Sequence, residues 1–228
     1  MKLLTFKCSA SCGDLIYSLI FVKHICEQAG AKAVYYIEND NRFAKARKLD
    51  TLQACKRLIE YQQYIDSCEK WQGQAVDYDL DLFRKQKEVF HDHPLPTRFF
   101  NAFKVPLPTS YEPWLTAPNS SLMPAYLLNH TLTYNSHNVD FVKAINRLVG
   151  ADYTVSFVGT KEEAERYLFP RLITDDLLEV ARYIASCRAL FCNQSACLTI
   201  AQGLGKQVYL AKDVKYNNTV LGLETILC

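Results

Sequence analysis

Residues Lys2 to Ile20, KLLTFKCSASCGDLIYSLI, set a short apolar run, a turn of small residues and an apolar-periodic helix in direct succession. Leu3–Phe6 has the length and apolarity of a buried strand, and Cys8–Gly13 supplies the turn. A helix starting near Asp14 puts Leu15, Ile16, Leu19, Ile20 and Val22 on its buried side. Strand, tight loop and helix are how many nucleotide-handling α/β domains begin. The loop brings backbone N–H groups to a helix start, where they can bind an anion. It also brings a carboxylate, Asp14, which is either a catalytic base or only a helix cap; the local sequence leaves both open.

The composition narrows the class. With 228 residues, 49% hydrophobic and 22% charged, the chain is that of a soluble globular protein with room for one large domain or two small ones. A net charge of +2 gives no strong electrostatic case for nucleic acid or an anionic membrane, although a local basic groove is compatible with it. No apolar run reaches the length of a membrane span, and Lys7 interrupts the N-terminal run, so no signal peptide is expected. The nine cysteines are odd in number and scattered. Neither Cys8 with Cys12 nor Cys192 with Cys197 has zinc-ligand spacing, so no metal site is expected. Cysteines inside apolar patterns (Cys26, Cys55, Cys187) read as small core residues in a reducing cytoplasm.

The first half predicts strands over 3–7, 33–37 and 76–80, helices over 14–29 and 50–60, and a short helix entered from Pro94 and running through Phe103. Residues 104–124 then hold five of the eight prolines, the strongest linker signal in the chain. The second half predicts strands over 125–128, 153–158, 189–192 and 207–210, with helices over 138–149, 161–169, 174–185 and 195–204. Thr160 and Glu163 form a capping-box pattern, and Thr174 or Asp175 caps the helix after it. The expected fold is α/β, with two Rossmann-like parallel-sheet domains, residues 1–115 and 124–228, facing one another across a cleft.

Three places can carry chemistry. The first is the loop ending at Asp14, where Ser9 and Ser11 can donate to a phosphate or sugar and Gly13 allows close approach or a positive φ. It is not a Walker loop, and the glycines of a dinucleotide fingerprint are absent. The second is Asn193, Gln194, Ser195 and Ala196, at the carboxyl end of one strand and the amino end of a helix, where parallel α/β sheets bind ligands; a plain N-cap serine explains the same residues. The third is His130, Thr131 and Tyr134 after the strand at 125–128, with Gly159 and Thr160 in the matching place after the next strand. Turn packing and helix capping account for these equally well. Asp77, Asp79 and Asp81 read as the wet face of a strand, and His91, Asp92 and His93 as an exposed loop before a metal site. Trp71 and Trp114 read as packing residues before ligand platforms.

Taken together, Gly13-Asp14 after the first strand, Asn193-Gln194-Ser195-Ala196, Gly203-Leu204-Gly205 with the apolar run Val208–Leu210, and Phe157-Val158-Gly159 before an acidic helix resemble a GT-B glycosyltransferase of the group (glycosyltransferase family 9) that includes the lipopolysaccharide heptosyltransferases. The resemblance covers most of the chain and is distant. It implies an inverting transfer from a nucleotide-sugar to an unidentified hydroxyl acceptor, with no cofactor and no need for a metal. It assigns Asp14 as general base, His130, Thr131, Gly159, Thr160, Asn193, Gln194, Ser195 and Ala196 to the donor, and Ser9, Ser11 and Gly13 to the acceptor side. The sequence departs from the family at Gln194, which stands where an acidic residue is usual, and in lacking an obvious cation early in the second domain, where His130 stands nearest. A non-catalytic nucleotide- or sugar-binding module and a phage-type transferase acting on modified DNA bases remain alternatives.

Overall fold

The computed structural model describes residues 1–38, 50–85, 94–121, 124–131, 139–150, 153–213, 219, 221–222 and 224–227. They fall into two units, Met1–Thr116 and Ala117–Cys228, each built on its own parallel sheet. The residues His91, Asp92, His93 and Tyr134 lie outside the described set.

In the first unit β1 (Lys2–Cys8) leads to α1 (Cys12–Ala29), β2 (Ala31–Ile37), α2 (Thr51–Glu60), β3 (Ile65–Lys70), β4 (Tyr78–Asp79), a 3₁₀ turn (Leu80–Lys85) and α3 (Leu95–Ala102). The sheet order is β3-β2-β1-β4. Every residue from Leu15 to Val22 of α1 is buried, so this helix has no wet face over two turns and serves as the centre of the unit. Phe21 meets Phe100 of α3 edge-on, and the indole of the buried Trp114 donates to the Ile16 carbonyl at 3.1 Å. The helix ends where Gly30 enters the left-handed region (φ 58°) and returns its N–H to Cys26 and Glu27. The proline-rich stretch is tied down as far as Thr116, whose N–H and hydroxyl both donate to Gln62 Oε1.

Two elements here depart from expectation. The alternation does not predict β3, because its buried residues, Ile65 and Cys68, are three apart instead of two. A register shift opposite Ala33 and Val34 inserts the extra residue and hides the pattern. The strand expected over 76–80 shrinks to Tyr78–Asp79. Asp77 spends its carboxylate on Thr5, accepting from its N–H and its hydroxyl at 2.8 Å each, and Asp79 accepts from the Asp81 N–H, which turns the chain into the 3₁₀ segment.

The second unit runs β5 (Tyr126–Asn129), α4 (Phe141–Val149), β6 (Val155–Gly159), α5 (Lys161–Ala164), β7 (Arg171–Ile173), α6 (Leu177–Ser186), β8 (Ala189–Asn193), α7 (Ala196–Gly203), β9 (Gln207–Ala211) and β10 (Thr225–Leu227). Its sheet order, β10-β9-β8-β5-β6-β7, is the doubly wound Rossmann order, in which the winding reverses between β5 and β8. The first unit shows the same reversal between β1 and β4. The fully buried β8 lies at the middle of the larger sheet.

The helix expected over 161–169 is a correction: it stops at Ala164. The capping box forms, with Thr160 and Glu163 bonded reciprocally. But the Pro170 carbonyl takes the Phe157 N–H at 2.7 Å, and the chain becomes β7 beside β6. The next helix is capped by Asp176, which accepts from the Leu178 N–H, and not by Thr174 or Asp175. Thr174 instead accepts from the Asp176 N–H. The short edge strand β10 carries no distinctive pattern, and local sequence does not predict it either.

Candidate functional site

Both sheets present their reversal points at the carboxyl ends of the strands, and each gathers sequence-selected residues there. In the first unit Ser11 is the N-cap of α1, with extended backbone, and Asp14 stands in the first helical turn. The Ser11 side chain makes no capping bond to the helix backbone; it donates to the Asp14 carboxylate. Gly13 has helical backbone, not a positive φ, so only close approach remains of the two roles expected for it. Asp14 is about a third exposed (35% of its side chain), as is its neighbour Arg84 (33%), whose Nη2 lies 3.9 Å from Asp14 Oδ2. Burial against the surrounding protein pushes the Asp14 carboxyl up; Arg84, Ser11 and Arg98 oppose this without reversing it.

The N–H group at the start of this loop is already used. Ser9 donates it to both carboxylate oxygens of Asp81, at 3.1 Å each. Lys7 meets Asp81 at 2.8 Å and Glu38 at 2.7 Å, and Arg84 holds the other side of Asp81. Burial alone raises the Asp81 carboxyl, but Lys7, Ser9 and Arg84 outweigh it and hold the group below the ordinary carboxylate value. Lys7 also lies over the Trp71 ring, 4.9 Å from its centroid. Asp81, expected on a solvated strand face, is thus the loop's internal anion. Sequence patterns do not single out Arg84, Arg98 or Lys7. Arg84 and Arg98 lie beyond β4 and on α3, and nothing local to Asp14 signals them.

In the second unit Asn193 is fully buried and pairs with the backbone of Thr131 as a strand would: Oδ1 accepts from its N–H at 3.0 Å and Nδ2 donates to its carbonyl at 2.9 Å. Gln194, also buried, accepts from the Asp213 N–H and donates to the Thr219 hydroxyl. Both amides are therefore committed to the framework. Ser195, the N-cap of α7, makes no side-chain cap; its hydroxyl donates to Asn129 Oδ1 at 2.7 Å, and Asn129 in turn donates to the Val158 carbonyl. The first-turn N–H groups from Ala196 onward then have no cap from Ser195.

His130 hydrogen-bonds Tyr167 through Nδ1 and packs on Phe141, while its carbonyl accepts from Arg166. Arg166 is an exposed cation at this edge that no sequence motif marks; it also lies over the Tyr167 ring. Gly159 has φ +151°, and a Cβ there would meet Glu163 Oε2 at 2.9 Å, Phe157 at 3.0 Å and Asn129 Nδ2 at 3.1 Å. Only glycine fits this crossing of β6, β5 and the α5 cap. The Cys197 thiol is pushed up to about 12 by burial, with the Glu163 charge adding to the effect. The eight described cysteines are all buried and none forms a disulfide. Among the described residues no group of three or more His, Cys, Asp or Glu could hold a metal ion, and no helix is long and apolar enough to cross a membrane.

No family model matches the sequence, and no curated protein matches it. Solved structures do. The chain is similar to a glycosyl transferase of family 9 from Veillonella parvula, with a TM-score of 0.67 at 11% identity, covering 99% of this chain and 85% of that one. It is similar to the E. coli heptosyltransferase WaaC determined with ADP (TM-score 0.67, 11% identity, 99% and 92% covered). It is similar, too, to the E. coli ADP-heptose lipopolysaccharide heptosyltransferase II (TM-score 0.63, 11% identity, 100% and 90% covered). The fold is thus α/β with two all-parallel sheets, similar to the GT-B-like fold of these glycosyltransferases.

Proposed function

We propose that this chain is an inverting glycosyltransferase that moves a sugar from a nucleotide-sugar to a hydroxyl acceptor. Asp14 takes the proton from the acceptor hydroxyl, whose oxygen attacks the anomeric carbon as the bond to the diphosphate breaks. The single observation that carries this reading is Asp14: a part-exposed carboxylate at the reversal point of a parallel sheet, with its proton affinity raised. A base shifted toward neutrality accepts a proton more readily than an ordinary carboxylate. The leaving diphosphate carries negative charge, which the first-turn N–H groups of α7 (Ala196 onward) and the Arg166 guanidinium are suited to stabilise. Ser195, His130 and Thr131 frame that position, and Gly159 and Thr160 line the nucleoside side. Asn193 and Gln194 serve the donor indirectly, by holding Thr131, Asp213 and Thr219 in place. Ser9, Ser11 and Gly13 lie on the acceptor side. The family 9 fold supports the reading, and the ADP with which WaaC was determined is of the expected ligand class.

The test has two parts. A thermal-shift screen against nucleoside diphosphates and nucleotide-sugars should find one that stabilises the chain by about 2.7 kcal/mol at 100 times its Kd. Asp14→Asn should then abolish turnover of that nucleotide-sugar while leaving its binding within about twofold, less than the 1.4 kcal/mol that a tenfold change represents. Turnover that survives the substitution removes Asp14 as base; no stabilisation by any nucleotide removes the donor.

A second reading, a nucleotide- or sugar-binding module without catalysis, draws on Glu163, whose carboxylate sits beside Gly159 and acts on Cys197 in the first turn of α7. A diphosphate there meets a like charge. Binding without transfer in the wild-type protein would favour this reading.

A further inference from the structure

We infer that Arg84 is a positioning residue for Asp14, itself anchored by Asp81 and Lys7, so that one chain of alternating charges, Lys7–Asp81–Arg84–Asp14, sets the aim and charge state of the carboxylate at the start of α1. The functional meaning of this inference rests on the proposed role of Asp14; the charge linkage itself does not.

The geometry is that of a guanidinium used as a fork. Arg84 Nη1 binds Asp81 Oδ1 and contacts Ser9 Oγ at 3.5 Å, while Nη2 faces Asp14 Oδ2 at 3.9 Å. Asp81 cannot swing away, because Lys7 grips it at 2.8 Å and the Ser9 N–H bonds both of its oxygens. Lys7 is fixed in turn by Glu38 at 2.7 Å and Asp79 at 3.6 Å, and only 11% of its side chain is exposed. Asp81 is 15% exposed. The inner half of the chain is therefore sheltered and held from several sides, and its outer half, Arg84 and Asp14, reaches solvent. A lysine at 84 carries the charge without the planar fork, so it cannot serve both carboxylates in this way.

The other groups that act on Asp14 are Ser11 in its own loop and Arg98 from α3; the buried Cys8 thiol at the end of β1 is itself pushed up in part by the Asp14 charge and stays neutral. Burial raises the Asp14 carboxyl, while Arg84 and Arg98 work against it. Arg98 remains in place when Arg84 is removed, so the loss of Arg84 displaces the balance without abolishing it.

The experiment is a pH titration of the Asp14 carboxyl in the full chain by carbon-13 NMR, with the resonance assigned through Asp14→Asn. In Arg84→Gln the midpoint should rise by about one pH unit or more, a tenfold gain in proton affinity worth about 1.4 kcal/mol. Arg84→Lys should fall between the two. Arg84→Ala carries the same expectation should glutamine disturb the fold, which far-UV circular dichroism checks. A midpoint within about 0.3 unit of the wild-type value in both neutral variants, well short of that tenfold effect, overturns the linkage. In an active protein the acid limb of the kcat/KM profile should move upward with the NMR midpoint, which a purely structural Arg84 would not cause. A shifted midpoint in a protein that turns over no nucleotide-sugar overturns the proposed function and leaves the charge linkage standing.

Discussion

Asn193→Ala separates a framework role from a ligand role at a residue that the sequence places in the donor site. The amide is fully buried and makes two bonds to the backbone of Thr131, at 3.0 and 2.9 Å, across the β5–β8 reversal. Alanine removes both partners at once. Each net hydrogen bond is worth about 0.5–1.5 kcal/mol, and a buried backbone group that loses its partner costs about 1–3 kcal/mol. Thr131 is only 8% exposed, so water compensates in part, and the expected loss is about 2–4 kcal/mol. At about 2–4 °C per kcal/mol for a chain of this length, Tm should fall by roughly 4–16 °C. Urea unfolding monitored by hydrogen exchange at β5 and β8 assigns the loss to the second unit. Asn193→Asp keeps the acceptor for the Thr131 N–H and, when protonated, a donor for its carbonyl. A buried carboxyl has a raised folded pKa, so this variant should be best tolerated at low pH and lose stability as pH rises through that value. A change under about 0.5 kcal/mol in Asn193→Ala, typical of a surface site, together with loss of nucleotide binding would refute the framework reasoning.

Two further outcomes follow from the same geometry. Gly159→Ala should destabilise the second unit by about 2–4 kcal/mol, because a Cβ at φ +151° would press on Glu163, Phe157 and Asn129 at 2.9–3.1 Å; chemical denaturation measures it, and a neutral result would mean that the α5 cap yields freely. Asp14→Asn should stabilise the protein at neutral pH. The folded-state pKa of Asp14 is raised above 3.8, so the charged carboxylate opposes folding, and the asparagine advantage should shrink as pH falls through the folded value and vanish below 3.8. A wild-type Tm above that of the variant at pH 7 would contradict this sign.

The strand, loop and helix at the start of each unit are legible in the sequence because their signals are local. Apolar runs mark β1, β2 and β8, Thr160 and Glu163 form their capping box three residues apart, and Gly30 and Gly205 follow the helices that they close. Signals fail where a neighbour in space changes the pattern. The shift opposite Ala33 and Val34 disguises β3, the Pro170 carbonyl draws the chain out of α5, and the Asp77–Thr5 bonds shorten β4. At the sites, sequence selects Asp14 and Asn193–Ala196 correctly as residues at strand and helix ends, because βα rhythm alone puts them there.

What those residues touch was decided by tertiary structure. Ser9 and Asp81 are 72 positions apart and meet only because β4 pairs beside β1. That pairing turns a loop with N–H groups to offer into one that holds its own carboxylate, and it delivers Arg84 to Asp14. In the second unit, the pairing of β5 with β8 sets Asn193 against Thr131 and commits a polar side chain to the framework. Local periodicity and caps are written in neighbouring residues, so the chain alone determined two βα-type units and the strand ends at β1 and β8 that carry the candidate residues. Parallel pairing joins distant segments through a choice of order that no short stretch encodes, and it alone decided which charges stand together.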